Sequence, residues 1–445
     1  MSTTTDKKQK ATIKEQRRRQ WRMRQIRLWI VEGFVVLVLI LGLAMGIRHA
    51  SKEESFLSGI EEEVHEALNP AAGVTGSLVE QGEYDVTLMA LGDNLIHMPI
   101  VNQGTDAAGN RNYDFLFEDI SGYLEHADVK MINQESVMAG NELGLSAYPV
   151  FNSPTEIGDA IADAEFNVVL QASNHSMDKG LDGLYSTIDF WEEEHPEITL
   201  AGVTGEDQET EIPILEVEGI TFAILNYAYA PNNDTIYPSI RGHLNILSDY
   251  DADTGKVHVN RLNPQVLEDI KEAEKSADVV VVCPHWGNEY WTEIADYQRS
   301  FAQQMTEAGA DVIIGTHPHV VEPVEWIQSE NGNESICYYS LGNYVSSAQR
   351  EICMLEGMAW VTFHVTPEGV TIDREKTGVL PMVLQYNYQC RMEHIYMLED
   401  YTEELANAHG ISHTLGRALS LDNLNQWSEE IFGDAVISKN TALGR

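Results

Sequence analysis

Two histidines flank a proline directly after a short apolar run, and their spacing suggests metal chemistry. Residues 312–314 have the pattern of a buried strand, and Gly315 ends it where the backbone must turn sharply or approach a neighbour closely. Pro318 opposes a helix, which predicts an extended backbone at His317 and places the His317 and His319 side chains on one side. Two imidazoles so placed suit a metal ion. The alternative is a histidine-rich loop without chemical consequence.

Five more apolar runs end in residues that can bind a metal or a substrate. These are Asp93 after 86–91, Asn133 and Glu135 after 129–132, Asn174 and His175 after 167–170, His285 after 279–283, and Asn343 after 336–339. Open α/β sheets bind ligands at the carboxyl ends of their strands. A single apolar run that ends in this way would indicate a turn. Six such runs, counting the one before His317, predict a common site.

The elements that must position these residues alternate along the chain. Amphipathic segments at 153–164, 180–194, 263–277 and 296–308 lie between the apolar runs and predict helices, so the fold class is α/β. Later segments at 360–365 and 370–373 predict further strands. Beyond them the chain predicts helices at 395–408, 414–418 and 421–432.

The N-terminal region predicts a membrane anchor. Residues 1–27 contain ten Lys or Arg and two acidic residues, a net charge of +8, and 28–47 is apolar apart from Glu32. About 20 such residues span a bilayer as a helix, and a basic flank stays in the cytoplasm. We therefore expect a cytoplasmic tail at 1–27, a single-pass signal anchor at 28–47 and a stalk at 48–83. A cleaved signal peptide is the competing interpretation, and the positive-inside rule already accounts for the basic tail without nucleic acid.

The rest of the chain is strongly acidic. The whole sequence carries a formal charge of −42, which leaves −50 for residues 28–445. Such a surface disfavours nucleic acid as a partner, and it repels a polyanionic substrate unless metal ions or a local basic patch intervene. Among the four cysteines, Cys353 and Cys390 are candidates for a disulfide outside the cell, although the sequence does not choose between pairings.

Six motifs, taken in order, resemble the CapA family of poly-γ-glutamate capsule biosynthesis proteins. They are Gly92-Asp93, Asn133-x-Glu135, Ser173-Asn174-His175-x-x-Asp178-x-Gly180, His285-Trp286-Gly287-x-Glu289-Tyr290, Gly315-x-His317-Pro318-His319-Val320 and Ser340-Leu341-Gly342-Asn343. The resemblance covers roughly residues 84–385. It implies a metallophosphatase-like α/β/β/α sandwich, similar to calcineurin-like phosphoesterases. The helices that the pattern predicts beyond it form a helical extension at 386–445.

The resemblance also implies a division of labour at a site for two divalent metal ions. Asp93 and His319 would bind the first ion, and Glu135 would bridge the two. Asn174, His285 and His317 would bind the second ion, while His175 would act on the leaving group without binding metal. Ligands of this kind, without thiolate, suit Mn, Fe, Zn or Mg, and two ions can activate a water and stabilise developing charge.

One position departs from the family pattern. Metallophosphoesterases generally have a histidine two residues after the first aspartate, where this chain has Leu95. His97 could replace that ligand if a helix begins at Asp93 and brings the two residues to one face. The alternative is that His97 is an ordinary loop residue and the first metal lacks a ligand.

Several neighbours of the motifs have weaker predicted roles. Four are predicted to contact substrate or support the ligands: Asn133, Trp286, Glu289 and Asn343. Asp178 and Gly180 are predicted to cap the helix that follows them. Arg241 and His243 form a candidate anion contact.

Three functions follow from the motifs. The first, which the family resemblance implies, is a membrane-anchored extracellular protein of capsule or poly-γ-glutamate synthesis, export or anchoring, with membrane-bound polymer synthase subunits as partners. The second is a metal-dependent phosphoesterase acting on an external phosphate ester. The third is a non-catalytic scaffold that binds an anionic polymer on the same fold.

Overall fold

Two β-sheets form the framework that positions the predicted site. The computed structural model describes residues 82–445, which belong to one compact unit, Glu80–Arg445. The strands in chain order are β1 Tyr84–Asn94, β2 Val129–Asn133, β3 Val168–Leu170, β4 Thr199–Ala201, β5 Ile214–Val217, β6 Ile220–Ala228, β7 Ser248–Tyr250, β8 Val257–Leu262, β9 Val279–His285, β10 Val312–Ile314, β11 Val324–Gln328, β12 Glu334–Tyr338, β13 Asn343–Val345, β14 Leu355–Thr366, β15 Gly369–Ile372, β16 Gly378–Tyr386 and β17 Met392–Met397.

The α-helices connect and flank these strands. They are α1 Met98–Gln103, α2 Ser121–Leu124, α3 Glu156–Asp163, α4 Gly180–Glu194, α5 Pro264–Ala273, α6 Asp296–Ala308, α7 Glu403–Ala408, α8 Ser412–Leu415, α9 Leu421–Phe432 and α10 Lys439–Ala442. Local sequence explains several boundaries. The Asn263 side chain caps α5 by accepting a hydrogen bond from Gln265 N, with Pro264 at the first helical position. Gly309, at φ 118°, ends α6.

The first sheet has nine strands and runs in the order β17-β16-β14-β1-β2-β3-β4, with β13 paired to β1 and β15 to β14. Strands β1 to β4 are parallel, so their carboxyl ends meet at one edge. Strand β13 pairs in parallel with the end of β1 and places Asn343 opposite Asp93. Four sequence motifs are therefore carried to a single edge.

The second sheet has six strands in the order β11-β12-β10-β9-β6-β5. Its four central strands, β12, β10, β9 and β6, are parallel. Residues 279–282 are four consecutive valines, all buried, as expected of a parallel strand covered on both faces. This sheet carries the motifs that contain His285 and His317.

The two sheets contact each other through aromatic side chains. The Phe222 ring on β6 lies 5.3 Å from the Phe363 ring on β14. The Tyr338 hydroxyl on β12 donates to Gly378 O on β16 at 2.9 Å. Two packed sheets with flanking helices confirm the predicted α/β class and are compatible with the metallophosphatase-like sandwich.

Gly315 allows the closest approach between the loops at the site. A Cβ atom at this position would lie 2.0 Å from Tyr339 O and 2.6 Å from Trp286 Nε1. Only glycine fits so tight a space. The close approach predicted for Gly315 is therefore confirmed.

The C-terminal helix predicted at 395–408 was wrong in its first half. Strand β17 occupies Met392–Met397 and pairs antiparallel with β16, and α7 begins only at Glu403. Pairing with β16 buries Met392, Ile395 and Met397, so a tertiary contact outweighs the local helical pattern. The predicted helical extension at 386–445 thus begins with a strand of the first sheet.

The cysteines decide one further expectation. Cys283, Cys337, Cys353 and Cys390 are all free, so the candidate pair of Cys353 with Cys390 is not formed. No helix within residues 82–445 is long and apolar enough to cross a membrane. The predicted tail, anchor and all but the end of the stalk lie outside the described residues.

Candidate metal centre

One group of buried ligand atoms lies where β1, β2 and the segment after β10 meet. Asp93, Glu135 and His319 each offer an atom within 4.8 Å of the others. His319 Nδ1 lies 3.0 Å from Asp93 Oδ2 and 3.8 Å from Glu135 Oε2. The fold therefore gathers three predicted ligands that are separated by up to 226 positions in the sequence.

A second group lies beside the first. Glu135, His285 and His317 also offer atoms within 4.8 Å of one another. His285 Nε2 lies 3.7 Å from Glu135 Oε1 and 2.8 Å from Asn174 Oδ1. The ring centroids of His285 and His317 are 4.8 Å apart. All four residues predicted for the second metal are thus together.

Glu135 belongs to both groups, with one oxygen facing each. The residue is fully buried, yet within the described residues neither carboxylate oxygen has a hydrogen-bond partner. His317 Nδ1 is also buried without a partner. Burying such groups is costly unless something compensates them, and bound cations do so. The oxygen and imidazole donors therefore fit divalent metal ions.

The protonation of the histidines differs between the two groups. Burial lowers the pKa of His285 and of His317 well below the ordinary value, with nearby imidazoles adding to the effect. Both rings are therefore neutral, as metal ligation requires. Burial acts in the same direction on His319, but Glu135 and the hydrogen-bonded Asp93 outweigh it and raise the pKa of His319 to about 9. In the metal-free first group, His319 thus holds a proton that a cation would displace.

The backbone of the His317 segment is not extended, which corrects the expectation based on Pro318. His317 has φ 100° and His319 has φ 59°, both in the left-handed region. In this turn His317 N lies 3.2 Å from each oxygen of Asp93. The imidazoles still reach one site, with ring centroids 5.9 Å apart. Backbone conformations of this kind are costly and concentrate at functional sites.

The His175 ring is held in place by a carboxylate. Its Nδ1 is 2.6 Å from Asp178 Oδ2, which also accepts a hydrogen bond from Phe151 N at 2.6 Å. The Phe151 ring packs edge-on against His175 at 4.7 Å. The predicted capping role of Asp178 was wrong, because α4 begins after Lys179 without a side-chain cap. Asp178 instead holds one ring nitrogen of His175, Nδ1, so Nε2 is the nitrogen outside this contact.

Asn232 completes this network and was not predicted. Its Oδ1 accepts a hydrogen bond from Asn174 Nδ2 at 2.8 Å, which directs Asn174 Oδ1 towards His285. Its Nδ2 lies 3.1 Å from His175 Nδ1 and 3.2 Å from Asp178 Oδ1. Asn232 follows Pro231 in a long connection, so only the tertiary structure reveals its role.

His97 does not replace the missing ligand in the way proposed. Asp93 lies within β1, and α1 begins at Met98 with His97 as its N-cap, so the required helix is absent at Asp93. His97 Nδ1 lies 3.0 Å from Leu95 O, and its ring packs against Phe151 at 5.2 Å. Burial lowers the pKa of His97 to about 4. His97 is a neutral residue outside both ligand groups.

Two asparagines flank Asp93 with unused amide oxygens. Asn133 Nδ2 donates to Asp93 Oδ1 at 2.8 Å, and Asn343 Nδ2 donates to His319 O at 2.9 Å. Within the described chain, Oδ1 of each side chain is buried without a hydrogen-bond partner. These neutral oxygens are the donors available to complete the first group, where Leu95 offers none.

Trp286 and Glu289 have different surroundings. Trp286 is fully buried, donates from Nε1 to Tyr339 O at 2.9 Å and stacks on the Tyr339 ring. Trp286 therefore packs within the loop and supports it, and a contact with substrate stays a prediction. Glu289 is exposed, and its charge adds to those that raise the pKa of His319.

The candidate anion contact at Arg241 and His243 has structural partners instead. Arg241 Nη2 donates to Ala252 O at 2.8 Å. His243 Nδ1 lies 3.1 Å from Thr204 O, and its ring packs edge-on against Tyr185. These contacts stabilise the connections around β7, and the anion contact stays a prediction.

Comparison with known proteins agrees with these motifs. The family model described as bacterial capsule synthesis protein PGA_cap matches residues 87–348, a range that contains every residue of the two ligand groups. PGA biosynthesis protein CapA of Bacillus subtilis (strain 168) is 34% identical over 186 residues, which cover 42% of this chain and 44% of that protein. Capsule biosynthesis protein CapA of Bacillus anthracis is 28% identical over 289 residues, which cover 61% of this chain and 62% of that protein.

The matched region spans less than two thirds of the length of either relative. A solved structure, the sulfate thiohydrolase SoxB of Thermus thermophilus in complex with glycerol, aligns with a TM-score of 0.35 at 10% identity, over 79% of this chain and 60% of that one. A likeness of that size carries no argument. The family match covers more than half of the chain and contains the whole site, and on that ground the chain belongs to the PGA_cap family of bacterial capsule synthesis proteins.

Proposed function

We propose that the two ligand groups hold two divalent cations, Mn, Fe, Zn or Mg, and that the chain acts in the synthesis, export or anchoring of a capsule polymer of the poly-γ-glutamate type. The observation that supports the metal site is Glu135, a buried carboxylate that has no hydrogen bond within residues 82–445 and faces a ligand group with each oxygen. The names of the two relatives support a role in making a capsule polymer of this type.

The chemistry is a hydrolytic or transfer reaction on the polymer or its precursor. Cations held by these residues would supply an activated water and a positive charge against the developing negative charge. Glu135 holds the two ligand groups together, and Asn232 fixes the orientation of Asn174. His175, held through Nδ1 by Asp178, gives a proton from Nε2 to the leaving group as the substrate bond breaks.

Membrane anchoring is part of the proposal. The basic stretch at 1–27 followed by the apolar stretch at 28–47 supports an N-terminus in the cytoplasm and a main domain outside the cell. Membrane-bound polymer synthase subunits would then be its partners. Protease added to intact cells should remove the main domain and spare the tail, whereas protection of the whole chain would refute this orientation.

A second candidate is a phosphoesterase that acts on an external phosphate ester. The dyad of His175 and Asp178 beside the ligand groups favours it, because a phosphate ester also needs an acid for its leaving oxygen. A third candidate, a non-catalytic polymer-binding scaffold, is favoured by Leu95, which leaves the first group without the usual histidine.

A paired assay separates the three candidates. Hydrolysis of γ-glutamyl oligomers and of phosphate esters is measured with the wild type and Glu135→Ala, with exposed Glu330→Ala as control. Turnover of the oligomer that is lost only in Glu135→Ala supports the proposal, and turnover of phosphate esters alone supports the second candidate. If a strain without the protein loses its surface polymer and His175→Ala restores it fully, the scaffold is supported.

A further inference from the structure

The segment after β13 runs along the edge where the ligand groups converge. Strand β13 ends at Val345, which pairs with Asn94 at the end of β1. Beyond it, Ser347 N donates to His97 Nδ1 at 3.3 Å. Residues 346–350 therefore form one wall beside the candidate metal centre.

Arg350 ends this wall with an exposed guanidinium close to the site. Its Cζ atom lies 4.0 Å from the centroid of the Tyr290 ring, a distance typical of a cation–π contact. The Tyr290 ring is 5.9 Å from the His319 ring. The guanidinium thus lies within about 10 Å of a predicted metal ligand.

The charge of Arg350 is not neutralised by its acidic neighbours. Glu351 pairs with Arg417, with Nη1 to Oε1 at 2.7 Å and Nη2 to Oε2 at 2.5 Å. Glu289, next to Tyr290, is exposed, and among the described residues no carboxylate oxygen lies within ion-pair distance of Arg350. An Arg stacked on an aromatic ring with open hydrogen-bond donors is suited to bind an anionic oxygen pair.

A second arginine in this structure shows the contrasting arrangement. Arg374 also lies 4.0 Å over an aromatic ring, that of Trp326, but it is ion-paired with Glu334. Its donors are therefore occupied by the protein. Stacking on an aromatic ring therefore does not prevent an arginine from forming an ion pair, and the absence of a carboxylate partner within the described residues distinguishes Arg350 from Arg374.

We propose that Arg350, supported by Tyr290, binds a side carboxylate of an extended polycarboxylate chain while another part of that chain lies at the ligand groups. The separation favours a polymer, because a simple phosphate ester has one charged group and cannot occupy both places. An unpaired cation also adds local attraction for an anionic ligand to a chain of net charge −42. The inference rests on the proposed function and adds the residues that would recognise a side carboxylate of its substrate.

The test measures binding of a short γ-glutamate oligomer to the full chain loaded with Mn²⁺. Its carboxamide analogue, which has no side charges, serves as the neutral ligand. The variants are Arg350→Gln and Arg350→Lys, with Arg374→Gln as the matched control. Metal content is determined for each, because an unchanged content shows that the site is intact.

Arg350→Gln should weaken oligomer binding about tenfold at low salt, which is the loss of one charge-assisted contact. The oligomer affinity of Arg350→Lys should lie between those of Arg350→Gln and the wild type. The affinity of Arg374→Gln should equal that of the wild type. The carboxamide analogue should bind wild type and Arg350→Gln equally, and added salt should reduce the difference for the oligomer.

Three results overturn the inference in distinguishable ways. Equal oligomer binding by the wild type and Arg350→Gln refutes the Arg350 contact and leaves the proposed function standing. Arg350-dependent binding of inorganic phosphate without oligomer binding refutes the polycarboxylate substrate. A wild type with full metal content that binds neither ligand refutes the inference and the proposed polymer function together.

Discussion

At the scale of single residues, Glu135 is the observation on which the proposed metal site rests. The fold has removed its carboxylate from water and given it no hydrogen bond within the described residues, an arrangement that is unfavourable for the protein alone. The neutral His285 and His317 on one side and the Asp93–His319 pair on the other are ligands already in place.

Asp178 gives a prediction about catalysis that is separate from metal binding. Asp178→Asn should lower turnover about 10- to 100-fold, the usual range for loss of a supporting carboxylate, because His175 loses the partner that fixes its ring. Metal content should not change. Turnover, its pH profile and elemental analysis are measured beside Asp182→Asn, an exposed residue on α4. Equal turnover in the two variants would contradict the assigned role.

His319 gives a prediction about pH. Its pKa of about 9 in the metal-free protein means that a proton must leave before a cation binds. Affinity for Mn²⁺ should therefore rise with pH between about 7 and 9, by at most tenfold per unit. Competition titrations against a chelator of known affinity measure this. Affinity that stays constant or falls across the range would show that His319 is not a ligand.

At the scale of elements, two glycines and a buried carboxylate hold the site loops in place. Gly92 before Asp93 and Gly315 before His317 both permit backbone contacts that a Cβ atom would block. Glu322, after the histidine segment, accepts a hydrogen bond from Gln298 Nε2 at 2.7 Å and so joins that segment to α6.

Gly315→Ala should lower the free energy of unfolding by several kcal/mol, because the added methyl group meets Tyr339 O at 2.0 Å. It should also reduce metal content, since the histidine turn must move. Gly122→Ala on α2, with no atom within 4 Å of the new Cβ, is the control and should change stability by less than about 0.5 kcal/mol. Similar stability of the two variants would refute the close packing.

Glu322 predicts a pH-dependent effect on stability. Burial raises its pKa to about 8, against the opposing hydrogen bond from Gln298. The unfolded chain ionises first, so wild-type stability falls as pH rises from about 4.5 towards 8. Glu322→Gln avoids this loss and should become more stable than the wild type, by a few kcal/mol at pH 8. Denaturant unfolding at pH 5 and pH 8 tests this, with exposed Glu330→Gln as control, and a constant difference would contradict it.

At the scale of the whole molecule, local patterns were enough to predict the strand ends and the polar residues that follow them. Each apolar run is followed by its polar residues in sequence, and parallel strands bring such ends together. The predicted α/β class is confirmed, and helices α4, α6 and α9 begin and end where the amphipathic patterns do.

The features that the sequence did not predict depend on contacts between distant segments of the chain. Strand β17 forms because β16 offers a partner, the left-handed turn at His317 forms around Asp93, and Asn232 gains its role only when its loop reaches Asn174. No local periodicity encodes such contacts. The predicted membrane segment and the metal roles of the individual residues stay predictions.

The most direct test of the account is the metal content of the purified full chain, determined by elemental analysis beside a His317→Ala/His319→Ala double variant. After supply of Mn, Fe or Zn, the wild type should hold about two ions per chain, as a shared carboxylate between two ligand groups predicts, and the double variant should lose them. A folded wild type that stays metal-free would contradict the central claim and favour the polymer-binding scaffold.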